Sequence, residues 1–237
     1  MKSLLLALLF TLGTSQLFAH ALWIETSTSG KAGKAQQVKV YYGEYVSNER
    51  EETSKWYSDV KDFTLWLTAP GKEKIKLSTT PGTNFYAASF TPDTDGTYVL
   101  TVSHEAKELG GTTKYEFLST AIVAVGKPAV IDHAQIPASL QVHTTEAKTY
   151  KTNAPVKFKA VQNGKPLANK TVSVFSPEGW GKEITTDENG MVTFSPIWPG
   201  RYVLEVSAMD KTAKGTHHGK DYAAAWQGAT SSFEVAK

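Results

Sequence analysis

Hydrophobic and polar residues alternate in short runs along most of this chain. Val38-Lys39-Val40-Tyr41-Tyr42, Phe63 to Leu67, Tyr98 to Val102 and Tyr115 to Val125 are rich in β-branched and aromatic residues. Val156 to Val161, Thr171 to Phe175, Met191 to Phe194 and Tyr202 to Val206 continue the pattern. A period of two places every second side chain on one face of a half-buried strand. Turn dipeptides separate the runs, among them Pro70-Gly71, Pro81-Gly82, Asp95-Gly96, Asn163-Gly164, Asn189-Gly190 and Pro199-Gly200. No stretch carries a sustained helical period; Glu49 to Val60 has room for one or two short turns. The pattern predicts an all-β protein.

An internal echo sets the number of domains. Gly96-Thr-Tyr-Val-Leu-Thr-Val-Ser103 recurs 104 residues later as Gly200-Arg-Tyr-Val-Leu-Glu-Val-Ser207, identical at six of eight positions. In immunoglobulin-like sandwiches such a segment is the penultimate strand, whose Tyr bonds back to the preceding corner. Two sandwiches are therefore expected in tandem, spanning 20–127 and 128–237. In the second, Asn163-Gly-Lys-Pro-Leu-Ala-Asn-Lys-Thr-Val172 precedes Thr186 to Phe194 and Pro199 to Tyr202. That order resembles transthyretin-like and carboxypeptidase-regulatory-like modules, which are mostly accessory.

Residues 1–19 change the picture of the N-terminus. Lys2 and the apolar run Leu4 to Phe10 read as a secretory signal too short to span a bilayer. This predicts a periplasmic or secreted protein with no membrane span in its mature part. Two cuts compete. Ala19-His20-Ala21 fits the small-x-small rule and would release Leu22; cutting after Ala19 puts Leu17 at the −3 position and makes His20 the first residue.

Composition excludes several chemistries. The 237 residues contain no cysteine, so thiolate catalysis and cysteine metal sites are absent. Net charge is +2 with acids and bases interspersed, and no basic stripe suggests nucleic acid. There is no Gly-x-Ser-x-Gly, phosphate loop or dinucleotide fingerprint. His104-Glu-Ala-Lys-Glu108 lacks the second His of the zinc-protease pattern, and the Asp93 to Gly96 and Asp187 to Gly190 segments read as turns.

The six histidines remain the most informative side chains. Imidazole is the commonest transition-metal ligand and needs no thiol partner. A mature N-terminal His20 would offer an amine and an imidazole together. His217-His218 lies in a connection of some twenty residues, longer than ordinary hairpin loops. His104 ends the first Tyr strand, at the pole where the first strand begins in an immunoglobulin topology, so it is a candidate to approach His20. Metal candidates are thus His20, His104, His217 and His218. His133 and His143 read as surface or satisfied residues. The acidic run Glu49-Arg-Glu-Glu52 has the charge to attract a cation or frame a partner surface, but reads first as a solvated loop with aromatic anchors. The tryptophans read as core or interdomain packing.

With these residues in view, the chain resembles a family of soluble periplasmic proteins assigned to nickel uptake and cobalt transport, long catalogued as a domain of unknown function. The resemblance rests on His20-Ala-Leu-Trp23 after the signal, Gly164 to Ala168, Thr186 to Gly190, Pro199 to Tyr202, Gly219-Lys-Asp-Tyr222 and Ala229-Thr230 to Val235. It implies a non-enzymatic, metal-binding accessory protein serving a membrane transporter. The ion would be nickel or cobalt, with copper and zinc as chemical alternatives. One departure stands out: Trp226 occupies a place where relatives are expected to carry histidine. Two other functions fit the sequence, a protein- or glycan-binding tandem sandwich without metal and a copper oxidase built on an N-terminal histidine brace. In an extended tandem His217-His218 would lie a domain length from His20, and the linker from Val125 to Val142 is long enough for the domains to fold back.

Overall fold

The computed structural model describes residues 20–127, 129, 130, 132 and 136–237. Residues 1–19, read above as a signal, and His133 lie outside the described residues. Strands dominate, and two single turns of 3-10 helix, Thr53–Lys55 and Val60–Asp62, fill the long connection after the second major strand. The fold is all-β, as the alternation predicts, and immunoglobulin-like, as the repeated Gly-x-Tyr segment predicts.

The two copies of the echo form the strands Gly96–Glu105 and Gly200–Asp210. Each Tyr makes the expected corner. Tyr98 Oη accepts the Thr94 N–H at 3.2 Å and donates to Asp93 or Thr94 oxygens at 3.0 Å. Tyr202 Oη accepts the Trp198 N–H at 3.2 Å and donates to the Trp198 carbonyl at 3.1 Å. Gly96 and Gly200 have φ of +140° and +131°. A Cβ on them would meet Pro70 at 2.6 Å and Pro177 at 2.8 Å, so both copies require glycine for the same two reasons.

The halves do not sit end to end. The final strand Ala224–Ala236 pairs in parallel with Thr113–Val125 of the first half, Trp226 opposite Tyr115 and Thr230 opposite Ser119. One sheet therefore runs through both halves, in the order Gly181–Thr185, Thr171–Phe175, Gly200–Asp210, Ala224–Ala236, Thr113–Val125, Gly96–Glu105, Leu65–Thr68, Ile75–Leu77. A smaller sheet, Ala21–Thr26, Gln36–Gly43, Tyr86–Phe90 and Thr80–Pro81, covers one face. Another, built on Leu140–Thr144, Val156–Gln162 and Met191–Phe194, covers the opposite face.

Strand parity shows why both faces are covered. Phe117, Ala121, Val123 and Val125 enter the first core, while Leu118 enters the second and Ile122 and Ala124 a third cluster. A strand buried on both faces reads as a near-continuous apolar run, as Phe117 to Val125 does. The extended arrangement considered from sequence is thus replaced by a side-by-side one. Its physical cause is the row of ladder hydrogen bonds between the two long strands.

The opening strand Ala21–Thr26 is an edge of its small sheet, so its outer backbone groups need other partners. Hydroxyls of the shared sheet supply them. Thr230 Oγ1 donates to the Leu22 carbonyl at 2.6 Å, Ser232 Oγ donates to the Ile24 carbonyl at 2.9 Å, and Ser119 Oγ accepts the Ile24 N–H at 3.1 Å. Behind them Trp23 and Tyr41 pack on Phe175 and Val203 of the second half. Arg201 adds a bond to the Thr26 carbonyl at 3.0 Å and an ion pair with Glu25 at 3.7 Å. The strand that follows His20 is thus held on its free edge by both halves.

Candidate metal centre

His20 meets two carboxylates of the acidic run. Its Nε2 lies 3.0 Å from Glu51 Oε1 and 3.6 Å from Glu49 Oε1. Ala21 is the register partner of Gly43, which brings the chain start beside the end of strand Gln36–Gly43. The acidic segment then folds back on that strand. The Glu51 N–H bonds to the Tyr42 carbonyl at 2.9 Å, the Glu49 N–H to the Glu44 carbonyl at 2.9 Å, and the Glu44 N–H to the Glu49 carbonyl at 3.2 Å. Trp56 Nε1 holds the Glu51 carbonyl at 3.1 Å.

Arg50 sits between the two acids and points the other way. Its guanidinium lies over the rings of Trp23, Tyr41 and Tyr45 at 5.5, 5.2 and 5.4 Å and is 3.4 Å from Glu25. Alternate side chains of an extended segment face opposite sides, so anchoring Arg50 turns Glu49 and Glu51 together toward His20. Glycine at 43 is needed for this approach. Its φ is +145°, and a Cβ would stand 2.6 Å from the Glu49 carbonyl oxygen.

The imidazole is held flat. It stacks on Tyr42 with centroids 5.5 Å apart and planes 19° apart. Burial pushes the Tyr42 phenol well above its usual range, and Glu51 beside it adds to this, so Tyr42 stays neutral. His20 Nε2 is buried without a well-formed hydrogen bond. The Glu51 oxygen is near enough for one but out of line with the ring nitrogen.

This donor set fits one transition-metal ion. Among the described residues, His20, Glu49 and Glu51 offer ligand atoms that lie within 4.8 Å of one another. Adjacent donors about 2.1 Å from a shared ion stand about 3.0–3.5 Å apart. The observed 3.0 and 3.6 Å are compatible with that spacing, and equally with an ion pair of a protonated imidazole. One imidazole and two carboxylates suit borderline divalent ions such as zinc, nickel or cobalt more than copper(I).

The other three predicted residues lie on a different patch. His104 Nε2 is 3.1 Å from Asp59 Oδ1, which also accepts the Lys107 N–H at 2.8 Å. Burial would raise the Asp59 pKa, but the Lys107 N–H and His104 together hold it below the usual carboxylate range. His217 Nε2 donates to the Ala106 carbonyl at 2.9 Å. His218, at the turn between Gly215–His217 and Lys220–Tyr222, has a φ of +47°. It lines a shallow cavity of about 250 Å³ with Ser58, Asp59, Lys107 and Glu108. The loop thus folds onto the first half, but His104 turns to Asp59 instead of approaching His20. His143 is buried, its ring nitrogens 2.8 Å from Gln141 Oε1 and 3.1 Å from the Thr144 carbonyl, the satisfied role expected of it.

A larger cavity of about 460 Å³ opens beside the centre. His20 and Glu51 form part of its wall, with Tyr57, Tyr115, Phe117 and Trp226 supplying aromatic faces and Lys55 a cation. Trp226, noted in the sequence as a departure, packs on the first core and stands 5.5 Å from Tyr115 and 5.7 Å from Phe117. The end of the chain therefore does reach the beginning, as an aromatic wall. Glu49 and Glu51 belong to the run whose charge was noted in the sequence, but their partnership with His20 depends on a register that no local pattern encodes.

A family model described as "Domain of unknown function (DUF4198)" matches residues 17–210. No curated protein matches the chain. Two solved structures are similar at low identity. One is a protein of Corynebacterium diphtheriae described as membrane anchored, 14% identical, covering 91% of this chain and 53% of that one, with a TM-score of 0.24. The other is a marsupial T cell receptor, 9% identical, covering 92% and 74%, with a TM-score of 0.25. The chain spans about half the length of the first. Among the described residues no helix is long and apolar enough to cross a membrane.

Proposed function

Since the chain belongs to this family of unknown function, we propose its role from the site: it is a non-enzymatic binder of a divalent transition-metal ion. His20, Glu49 and Glu51 are the ligands. The observation that carries this reading is the buried ring nitrogen of His20, without a well-formed hydrogen bond, facing two carboxylates at metal-ligand spacing. Processing after Ala19 would add the α-amino nitrogen, whose ordinary pKa of about 8 lets it serve as a donor near neutral pH. The ion would be nickel or cobalt, and the protein an exported, periplasmic accessory to a membrane transporter, as the sequence resemblance implies. The copper-oxidase reading is disfavoured, because the groups that meet His20 are carboxylates and His104 is engaged by Asp59.

The test uses protein purified from the periplasm after export. Mass spectrometry maps its first residue, elemental analysis gives its metal content, and calorimetry gives its affinity for nickel and cobalt. The expected result is one ion per chain beginning at His20. Affinity should fall at least about tenfold in Glu49→Gln/Glu51→Gln and in His20→Ala. No binding by a chain confirmed to begin at His20, or undiminished affinity in the double variant, would overturn the proposal.

A further inference from the structure

We propose that the ion reaches this centre as a complex with a small, flat, carboxylate-bearing organic chelator, and that the aromatic cavity holds the chelator. This rests on the metal reading above and names the form of its ligand. Three observations carry it. The first is size. An ion with six waters, at about 30 Å³ each, occupies about 180 Å³. The cavity is about 460 Å³.

The second is the lining. Tyr57, Tyr115, Phe117 and Trp226 present ring faces and edges to the cavity, with Tyr42 behind His20. A hydrated ion gains little from such walls, whereas a flat conjugated ring stacks on them. Tyr57 is fixed for this by its hydroxyl, which donates to the Glu108 carbonyl at 2.9 Å, and Tyr115 and Trp226 pack on each other.

The third is charge. Lys55 lines the cavity, with its ammonium 3.1 Å from Glu52 in an exposed ion pair. Lys55 gives a ligand that carries carboxylates a cationic partner in the lining, which a bare divalent ion could not use. Donor arithmetic agrees. His20, Glu49 and Glu51 would fill three positions of a six-coordinate ion, and the α-amino nitrogen of a chain cut after Ala19 a fourth, leaving about two or three for a chelator. Two of those protein donors, His20 and Glu51, stand in the cavity wall, so the open positions face it.

The experiment compares nickel chloride with the 1:1 complex of nickel and pyridine-2,6-dicarboxylate, using exported full-length protein. Native mass spectrometry reads stoichiometry, and tryptophan fluorescence reads affinity. The expected product is a 1:1:1 assembly of protein, nickel and chelator, formed more tightly than the nickel-only complex. Trp226→Leu, Tyr115→Leu and Lys55→Met should each weaken binding of the complex about three- to tenfold, the size of one such contact. Binding of nickel alone should change less than about twofold. Lys55 is exposed, so Lys55→Met tests the idea even if an aromatic variant folds poorly. Three results overturn the inference: an assembly containing nickel but no chelator, equal weakening of both forms, or metal-free chelator binding as tightly as the complex. If nickel alone binds and the complex does not, only this inference fails. If neither binds, the metal reading fails with it.

Discussion

Glu205 allows a stability prediction with a defined sign. It lies on Gly200–Asp210, opposite Ser173 and Thr230, half-buried on the side of the shared sheet that meets the first half. Burial, and then the nearby charge of Glu44, raise its pKa from an ordinary 4.5 to about 7. The native state therefore binds this proton more tightly than the unfolded chain. Between about pH 4.5 and 7 the native state holds more protons, so stability falls as pH rises through that window. At about 1.4 kcal/mol per pKa unit the full effect is about 3 kcal/mol; partial exposure and screening reduce it to about 2 kcal/mol. Asp59 and Asp93, whose pKa values are lowered, act in the opposite sense and below this window. Urea unfolding of wild type and Glu205→Gln at pH 5 and pH 8 reads the difference directly. The variant's advantage should be about 0.5 kcal/mol at pH 5 and grow to about 2 kcal/mol at pH 8, or about 4–8 °C in Tm. Equal pH slopes for both proteins would refute the assignment.

Gly43→Ala places a Cβ 2.6 Å from the Glu49 carbonyl and imposes a side chain on a φ of +145°. It should destabilise the fold by about 1–3 kcal/mol in chemical denaturation, and nickel affinity should drop with it because Glu49 and Glu51 move off His20. Unchanged affinity would show that the acidic segment does not ligate. Thr230→Val keeps the shape but leaves the Leu22 carbonyl without its 2.6 Å hydrogen bond inside the protein. The cost should be about 1–3 kcal/mol in the same assay, and a neutral result would mean that water replaces the hydroxyl.

The parts of the fold that sequence revealed are those encoded locally. Each tyrosine corner lies within about five residues of its glycine turn, so the same eight-residue signature reports it twice. His20 was legible for a similar reason, since it directly follows the apolar segment 1–19 that reads as an export signal. The Glu49 and Glu51 partnership was not. Their alternation around Arg50 can be read in sequence, but the direction they face follows from Arg50 stacking on Trp23 and Tyr41, more distant residues brought close by strand pairing. The shared sheet was harder still. Its parallel register joins residues more than a hundred positions apart. The traces it left were an apolar run buried on both faces and an unusual Thr230-Ser231-Ser232 cluster, neither of which names its partner strand.

That register has a consequence for how the candidate centre can form. Ala21–Thr26 is an edge strand, and Ser119, Thr230 and Ser232 satisfy groups on its free edge. Two of those hydroxyls belong to the last strand, as does Trp226 in the cavity wall. The first half can bring His20 to Glu49 and Glu51 through its own Ala21–Gly43 register, so the three ligands do not by themselves require the second half. What the second half adds is rigidity of the opening strand and one side of the cavity. Ion binding and chelator binding thus depend on different parts of the chain, the first on a local hairpin and the second on closure of the shared sheet. A donor set alone needs only the first half; Trp226, the aromatic of the cavity wall that comes from the last strand, is what ties the cavity to the second half.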